Sequence, residues 1–173
     1  MAKNKVRVQT QLHLGKVETG MELAAGSGEG DLRLGLSFTG TIHLKELGKL
    51  LDDEHAAALF DHMYDGDAIL QTAIFDNIKV GTTVKDCIIQ LGNKDDGCIL
   101  PDSILDKIEL VPRPGRTFDI KVRAIVYPKP KQESKIVYEF YKRIIKVIVD
   151  GGTRLLDAVD QTEMPLEPGA SAE

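Results

Sequence analysis

The amino-acid sequence predicts an α+β fold in a single domain, built mainly on an antiparallel twisted sheet. Residues 31–43 and 118–126 alternate apolar and polar side chains, which is the period of strands that bury one face. Residues 44–63 instead space their apolar side chains three and four apart, as a helix does. We therefore expect roughly six or seven strands and a short acidic helical insertion, within residues 1–160.

A hairpin is the most strongly predicted local structure. Residues 107–110 alternate in the same way as residues 118–126, and Pro114-Gly115 lies between the two segments. Proline presets φ for the first central position of a turn, and glycine accepts the positive φ that a type II turn requires next. The polar residues of the second arm then project from one face, either as a solvated surface or as a binding surface.

Two further strands are expected before the helical segment. Residues 5–14 open the chain as a strand, which residues 16–23 extend or return. Residues 24–30 (AAGSGEG) form a flexible loop by composition, and no helix that would cradle a phosphate follows their glycines. In the strand over residues 31–43, Gly40 marks a bulge or a bend.

The helical segment over residues 44–63 divides near Asp52, where acidic residues interrupt the apolar spacing. Asp52 or Asp53 is a suitable N-cap, because a carboxylate there accepts hydrogen bonds from the first free backbone N–H groups. The sequence therefore predicts two short helices, or one helix broken at this point.

Two later segments are less certain in type. Residues 69–80 and 84–91 have the composition of strands around Gly81, which predicts a second hairpin. Residues 136–149 fit one helical face, yet seven of these fourteen residues are Ile or Val, which favours a strand that pairs with residues 116–127. Because strand alternation would scatter the charges over both faces, we favour a C-terminal helix and keep a long strand as the alternative.

The composition is that of an ordinary globular chain, with 173 residues of which 42% are hydrophobic and 28% charged. No stretch approaches the roughly 18 apolar residues of a membrane span, and no apolar signal core follows the first lysines. Cys87 and Cys98 are separated by ten residues, outside any CxxC pattern, and are expected to be reduced thiols. We therefore expect a cytoplasmic protein with no membrane contact.

Charge is distributed unevenly around a net value of −5. Residues 107–146 contain eleven Lys or Arg and four Asp or Glu, a balance of +7. Residues 41–70 and 150–173 each have a balance of −5, and residues 161–173 are expected to form a disordered acidic tail. Such asymmetry is typical of interaction surfaces.

No motif indicates a catalytic residue, a cofactor or a metal. His55 and His62 share a helix face near Asp61, but their spacing matches no metal-binding pattern, and a solvated acidic helix end is the better interpretation. No nucleophile motif surrounds either cysteine, and the Asp95-Asp96 pair lies in turn-like sequence. An enzyme whose site is assembled from distant residues is the least favoured alternative.

The basic segment supports the leading hypothesis, which is a non-enzymatic intracellular protein that binds single-stranded nucleic acid through a basic hairpin surface. Lysine and arginine side chains would contact phosphates, and tyrosine rings would stack on bases. The predicted binding residues are Arg113, Arg116, Lys121, Arg123, Lys129, Lys131, Lys142, Arg143, Lys146, Tyr127, Tyr138 and Tyr141. The alternative is an assembly module, a homo-oligomer or partner-binding protein that presents the same surface to a protein.

Overall fold

A computed structural model describes residues 7–23, 30–51, 53–71 and 77–156. In chain order the elements are β1 (Arg7–Leu23), β2 (Gly30–His43), α1 (Leu44–Leu50), α2 (Asp53–Met63), β3 (Tyr64–Asp65), β4 (Ala68–Ile69), β5 (Ile78–Val80), β6 (Thr82–Leu91), β7 (Cys98–Arg113), β8 (Thr117–Val126), α3 (Pro130–Lys135), a π-helical turn (Ile136–Phe140) and β9 (Ile144–Leu156). Strands predominate and the helices are few, which confirms the prediction of an α+β fold with a mainly antiparallel sheet.

The long strands belong to one antiparallel sheet with the hydrogen-bonded order β5-β7-β6-β9-β1-β2-β8. An additional pairing between β8, at one end of this order, and β7, next to the other end, closes the sheet, so that β1, β2, β8, β7, β6 and β9 form a barrel-like ring. Closure directs alternate side chains of each strand into the interior. It also places β8 and β9 on opposite sides of the ring, since two strands separate them in either direction.

The hydrophobic core fills the interior of the closed sheet. Phe38 on β2 and Phe118 on β8 are the largest of its fully buried side chains. Leu47 and Leu50 of α1 are buried, and Ile136 of the π-helical turn belongs to the same core cluster. The outward-facing residues of the strands are consequently the ones that are available to a ligand.

The predicted central hairpin is present as β7 and β8, with Arg113 opposite Thr117. Its turn differs from the expected type II turn, because Gly115 and Arg116 both have positive φ, 81° and 58° respectively. The Thr117 hydroxyl donates a hydrogen bond of 3.1 Å to the Pro114 carbonyl oxygen across the turn. The position of Pro114-Gly115 predicts that Arg113 and Arg116 flank the turn. Arg113 does so as the last residue of β7, whereas Arg116 lies within the turn.

The second predicted hairpin is wrong. In the described residues β5 and β6 do not pair with each other, because both run antiparallel to β7 along the same ladder. Val80 is opposite Ile108, and Val84 is opposite Leu105. The chain therefore continues in one direction through Gly81, where glycine interrupts the strand without reversing it.

Of the bulge or bend predicted at Gly40, the bulge is wrong. The register between β1 and β2 shifts instead between Leu14 and Lys16, while Gly40 stays in register opposite Leu12. A Cβ added at Gly40 would lie 2.6 Å from Leu12 Cδ2. This glycine therefore makes room for a core leucine on the neighbouring strand.

Of the C-terminal helix predicted over residues 136–149, only Ile136–Phe140 is helical, as a π-helical turn that follows α3. Residues 144–156 form a strand, the alternative that the sequence left open. This strand, β9, pairs with β1 and β6 and not with residues 116–127. Helical spacing misled the prediction because β9 carries isoleucine on both faces: Ile145 is buried, whereas Ile144 is 71% exposed.

Helices α1 and α2 occupy the predicted helical segment. His43 caps α1, since its Nδ1 accepts a hydrogen bond of 3.0 Å from the Lys45 backbone N–H. The second helix begins at Asp53, and the alternative predicted cap, Asp52, lies outside the described residues. Residues 24–29 of the predicted loop and the predicted acidic tail also lie outside them.

Candidate functional site

The structure distributes the twelve predicted binding residues over separate parts of the molecule. Arg113 and Arg116 lie at the turn between β7 and β8. Lys121 and Arg123 project from the outer face of β8, whereas Lys146 lies on β9, across the closed sheet from β8. The other seven lie in the connection between these two strands: Tyr127, Lys129, Lys131, Tyr138, Tyr141, Lys142 and Arg143. The twelve residues therefore do not line one continuous groove.

The two arginines at the turn are engaged within the chain. Arg113 Nε lies 2.7 Å from Asp119 Oδ2. Arg116 Nε lies 3.1 Å from Asp67 Oδ1, and the Arg116 guanidinium carbon is 4.6 Å from the centre of the Phe60 ring. The Arg116 contacts attach the turn to α2 and the segment after it, whereas the Arg113 pair joins β7 to β8 beside the turn. Both charges therefore have a structural use.

Two of the three tyrosines predicted to stack on bases, Tyr138 and Tyr141, lie beyond α3 in the connection to β9 and not on β8 with Lys121 and Arg123. Tyr138 is 82% exposed on the π-helical turn. Tyr141 follows that turn, and Lys142 Nζ lies 5.4 Å from the centre of the Tyr141 ring. Stacking on these rings and phosphate contacts on β8 would therefore involve different surfaces.

A polar groove crosses the outer face of β1, β2, β8 and β7. It consists of two adjoining cavities of about 520 and 370 Å³, which share Glu18 and Arg123. We define the polar groove by Lys16, Glu18, Arg33, Gly35, Ser37, Lys107, Lys121 and Arg123. Two of the predicted residues, Lys121 and Arg123, are thus brought together with residues from three other strands.

Small residues of β2 form the floor of the polar groove. Gly35 pairs with Glu18 of β1, and a Cβ added at Gly35 would lie 3.5 Å from Glu18 Oε2 and 4.0 Å from Arg123 Cδ. Ser37, two residues further along the same face, pairs with Lys16 on one side and Arg123 on the other. Because neither floor residue has a long side chain, the walls from β1 and β8 stand above the floor and leave space between them.

Arg123 is held at one wall of the polar groove by Asp106 of β7. Its Nε and Nη2 donate hydrogen bonds of 2.8 and 2.5 Å to the two carboxylate oxygens of Asp106. The hydrogen bond to Asp106 raises the pKa of the Arg123 guanidinium, and burial lowers it. The charges of Asp106 and Glu18 raise this pKa further. The forked pair fixes a permanent positive charge at this wall.

Glu18 forms the opposite wall. Lys16 Nζ lies 2.5 Å from Glu18 Oε1. The hydrogen bond and charge of Lys16 lower the pKa of the Glu18 carboxyl, and the charges of Arg123 and Lys107 contribute less. Glu18 is therefore ionised near neutral pH and partly offsets the cations around it.

Lys107 reaches the polar groove from an irregularity in β7. The register between β7 and β8 shifts between Asp106 and Glu109, and Lys107 has a positive φ of 50°. A residue with a Cβ pays roughly 1–2 kcal/mol for this conformation, and a bulge redirects the side chain of the strand that contains it. Simple alternation therefore gives no indication of where Lys107 points.

The polar groove is locally basic in an acidic protein. Five cations (Lys16, Arg33, Lys107, Lys121 and Arg123) and two carboxylates (Glu18 and Glu109) line its cavities, whereas the net charge of the chain is −5. None of the ion pairs among the described residues involves Arg33, Lys107 or Lys121. These three charges are therefore available to an anionic ligand.

Lys16, Arg33 and Lys107 were not predicted from the sequence as groove residues. Alternation marks Lys16 and Arg33 as outward-facing once β1 and β2 are recognised as strands. Their proximity to Lys121 depends on which strands are neighbours in the sheet, and no local pattern reports strand order.

His55 and His62 line a different cavity, a cleft of about 430 Å³ bordered largely by apolar residues such as Leu59 and Val80. In the part of the chain that the structure describes, no group of three or more His, Cys, Asp or Glu side chains is placed to hold a metal ion. Cys87 and Cys98 are free and buried. No helix within the described ranges is long and apolar enough to cross a membrane.

Comparison of the chain with protein-family models, with curated proteins and with solved structures found no match in any of the three. The function proposed below therefore depends on the residues of this chain alone.

Proposed function

We propose that this chain is a non-enzymatic binding module whose polar groove holds an extended anionic ligand, with single-stranded nucleic acid as the sharpest candidate. The observation that carries the proposal is the group of five cations around a floor of glycine and serine. The two free, buried thiols support a cytoplasmic setting.

The groove suits a phosphate backbone better than it suits bases. Lys107 and Lys121 supply ammonium groups to the groove, and Arg123 supplies a guanidinium that Asp106 holds in place. The small floor residues permit close approach of a chain. Among the described residues, no aromatic side chain lines the two cavities, whose larger apolar lining residues are Val122 and Ile125. We therefore expect binding that depends on backbone charge, with weak base preference and strong salt dependence.

Fluorescence anisotropy of a labelled single-stranded oligonucleotide, titrated with protein at low and moderate salt, tests the proposal. With three to five phosphate contacts, the log–log slope of affinity against salt should be about −2 to −3.5. The double variant Lys107→Glu, Lys121→Glu should weaken binding by about tenfold or more at low salt. The matched control is Lys129→Glu, Lys131→Glu, which makes the same charge change on exposed residues near α3.

A third variant examines the role of Arg123. Asp106→Asn removes the negative charge that is paired with the Arg123 guanidinium. The guanidinium charge is then free for a phosphate, so oligonucleotide binding should become tighter although the Arg123–Asp106 ion pair is lost. No anisotropy change at low salt, or equal losses in the groove variant and its control, would contradict the proposal.

A partner-binding or assembly module is the second candidate, and the shape of β1 favours it. This strand pairs with β9 only from Arg7 to His13, but with β2 from Leu12 to Leu23. Among the described residues, the later part of β1 therefore has an edge without a second neighbour, which is a site where another strand can add. A protein that binds no oligonucleotide at low salt but retains a polypeptide partner would favour this candidate.

A further inference from the structure

The outer face of β7, β6 and β9 carries an apolar patch on the side of the closed sheet away from the polar groove. Ile99 on β7 is 49% exposed and Ile88 on β6 is 45% exposed. Gln90 pairs with Ile99 on one side and with Ile148 on the other, so three isoleucines surround one uncharged residue. Isoleucines grouped on adjacent strands are unusual on a surface without a partner.

Two of the three neighbouring positions on β1 are also uncharged, and the third is Arg7, which pairs with Asp150. Gln9 pairs with Ile148, and Gln11 pairs with Lys146. The outer face of β8 and β7 by contrast carries Lys121, Arg123 and Asp106. The two sides of the closed sheet therefore differ in character, one charged and one largely apolar, and the apolar side calls for a separate explanation.

The outward-facing side of β9 carries a short symmetric pattern. Lys146 lies two residues before Ile148 and Asp150 two residues after it, so opposite charges lie at equal distances from this isoleucine. A two-fold axis lying in the plane of contact and perpendicular to β9 at Ile148 reverses this order in a second copy. Each lysine then faces an aspartate, and the two isoleucines face each other. The stripe is therefore complementary to itself, which is the property that an isologous interface requires.

We infer that this face, defined by Ile88, Gln90, Ile99, Lys146, Ile148 and Asp150, is a homodimer interface that a second copy of the chain covers. In the dimer, Lys146 pairs with Asp150 of the partner subunit, and the isoleucines of both copies form its centre. The surface lies across the closed sheet from the polar groove, so the dimer presents two grooves on its outer sides.

The local partners of Asp150 are compatible with this pairing. Its Oδ1 accepts a hydrogen bond of 3.0 Å from the Gly151 backbone N–H, and its cross-strand neighbour is Arg7. The carboxylate is exposed and retains a second oxygen for a lysine of the partner subunit. A different protein would need its own matching order of charges, whereas a second copy supplies that order automatically.

Sedimentation velocity of the full chain from about 1 to 200 µM, a range that covers micromolar dimers, measures the association. The single reversals Lys146→Asp and Asp150→Lys each replace two attractive contacts by two repulsive ones, and we expect each to weaken the dimer about tenfold or more. The double variant Lys146→Asp, Asp150→Lys restores complementarity and should dimerise within about threefold of the original chain.

A separate variant and its control test whether the isoleucines at the centre of the interface hold the dimer together. Ile99→Lys should abolish the dimer, while Leu70→Lys, at a residue of similar exposure (37%) after β4, should leave it intact. Circular dichroism checks that each variant is folded. A chain that is monomeric over the whole range overturns the inference, and so does a dimer that is insensitive to both single reversals. Oligonucleotide binding should persist in all of these variants, which separates this inference from the groove proposal.

Discussion

Removal of the Tyr64 hydroxyl group should destabilise the protein measurably without disturbing its core. Tyr64 is 5% exposed, and its hydroxyl lies 2.6 Å from the Arg113 carbonyl oxygen and 2.7 Å from that of Thr117. It also accepts a hydrogen bond of 3.1 Å from the Arg113 backbone N–H. One phenol group therefore joins both ends of the turn between β7 and β8 to the segment after α2.

The expected magnitude follows from these contacts. The hydroxyl hydrogen serves one carbonyl at a time, so Tyr64→Phe removes one donated and one accepted hydrogen bond. At about 1 kcal/mol each, the free energy of unfolding should fall by about 2 kcal/mol. The ring contacts should persist, since Phe118 packs edge-on at 5.6 Å and Phe60 lies at 6.4 Å between ring centres.

Equilibrium unfolding in urea gives the free energy, and the m-value should stay unchanged because the same surface is exposed on unfolding. Tyr138→Phe is the matched control, since its side chain is 82% exposed, and its effect should stay within about 0.5 kcal/mol. If Tyr64→Phe is also within about 0.5 kcal/mol of the original protein, the hydroxyl does not hold the turn and the reasoning is refuted.

Two further predictions concern the core. Gly40→Ala places a methyl group 2.6 Å from Leu12 Cδ2 and 3.1 Å from the Gln11 carbonyl oxygen and should cost about 1–3 kcal/mol in urea unfolding. Gly35→Ala on the same strand, with its nearest atom at 3.5 Å, should be tolerated, and equal losses would rule out the steric explanation. The pKa of the Cys87 thiol is raised from 9.0 to about 11, mainly by burial. A backbone hydrogen bond lowers this pKa, and the charge of Asp86 raises it. Between these pH values the unfolded thiol releases its proton while the native thiol keeps it, so stability should fall as pH rises, by about 2–3 kcal/mol in all. Cys87→Ala should lack this component, and identical pH slopes for the two proteins would contradict it.

Local patterns predicted the elements whose residues lie close together in the chain. The alternation over residues 118–126 correctly assigned Phe118 and Ile120 to the interior and Lys121 and Arg123 to the outer face. Both the period of a strand and the chemistry of a turn are properties of a few consecutive residues. The central hairpin could therefore be predicted from the sequence, even though the conformation of Arg116 was not.

Predictions that depended on which strands pair with each other in the sheet were less successful. The spacing of residues 136–149 suits a helix because Ile144 and Ile148 lie on the outer face of β9, where a monomer would more often place polar residues. Similarly, Gly81 suggested a reversal, but pairing of both β5 and β6 with β7 keeps the chain in one direction. In the first case the deciding contacts are made by β1 and β6, which are distant in sequence from β9. In the second case they are made by β7, the next strand of the chain, and no local pattern shows that both β5 and β6 pair with it.

The sequence by itself determined the period of the strands, the position of the β7–β8 turn and the overall charge asymmetry, because each of these depends on adjacent residues. Only the tertiary structure decided which charges meet. Pairing of β2 with β1 and β8 places Lys16 and Lys121 along the same groove, and the irregularity in β7 adds Lys107. The same closure separates Lys146 from Lys121, since β8 and β9 lie on opposite sides of the ring. Strand order and register are long-range properties of the whole sheet, and they convert one basic segment of sequence into two distinct surfaces.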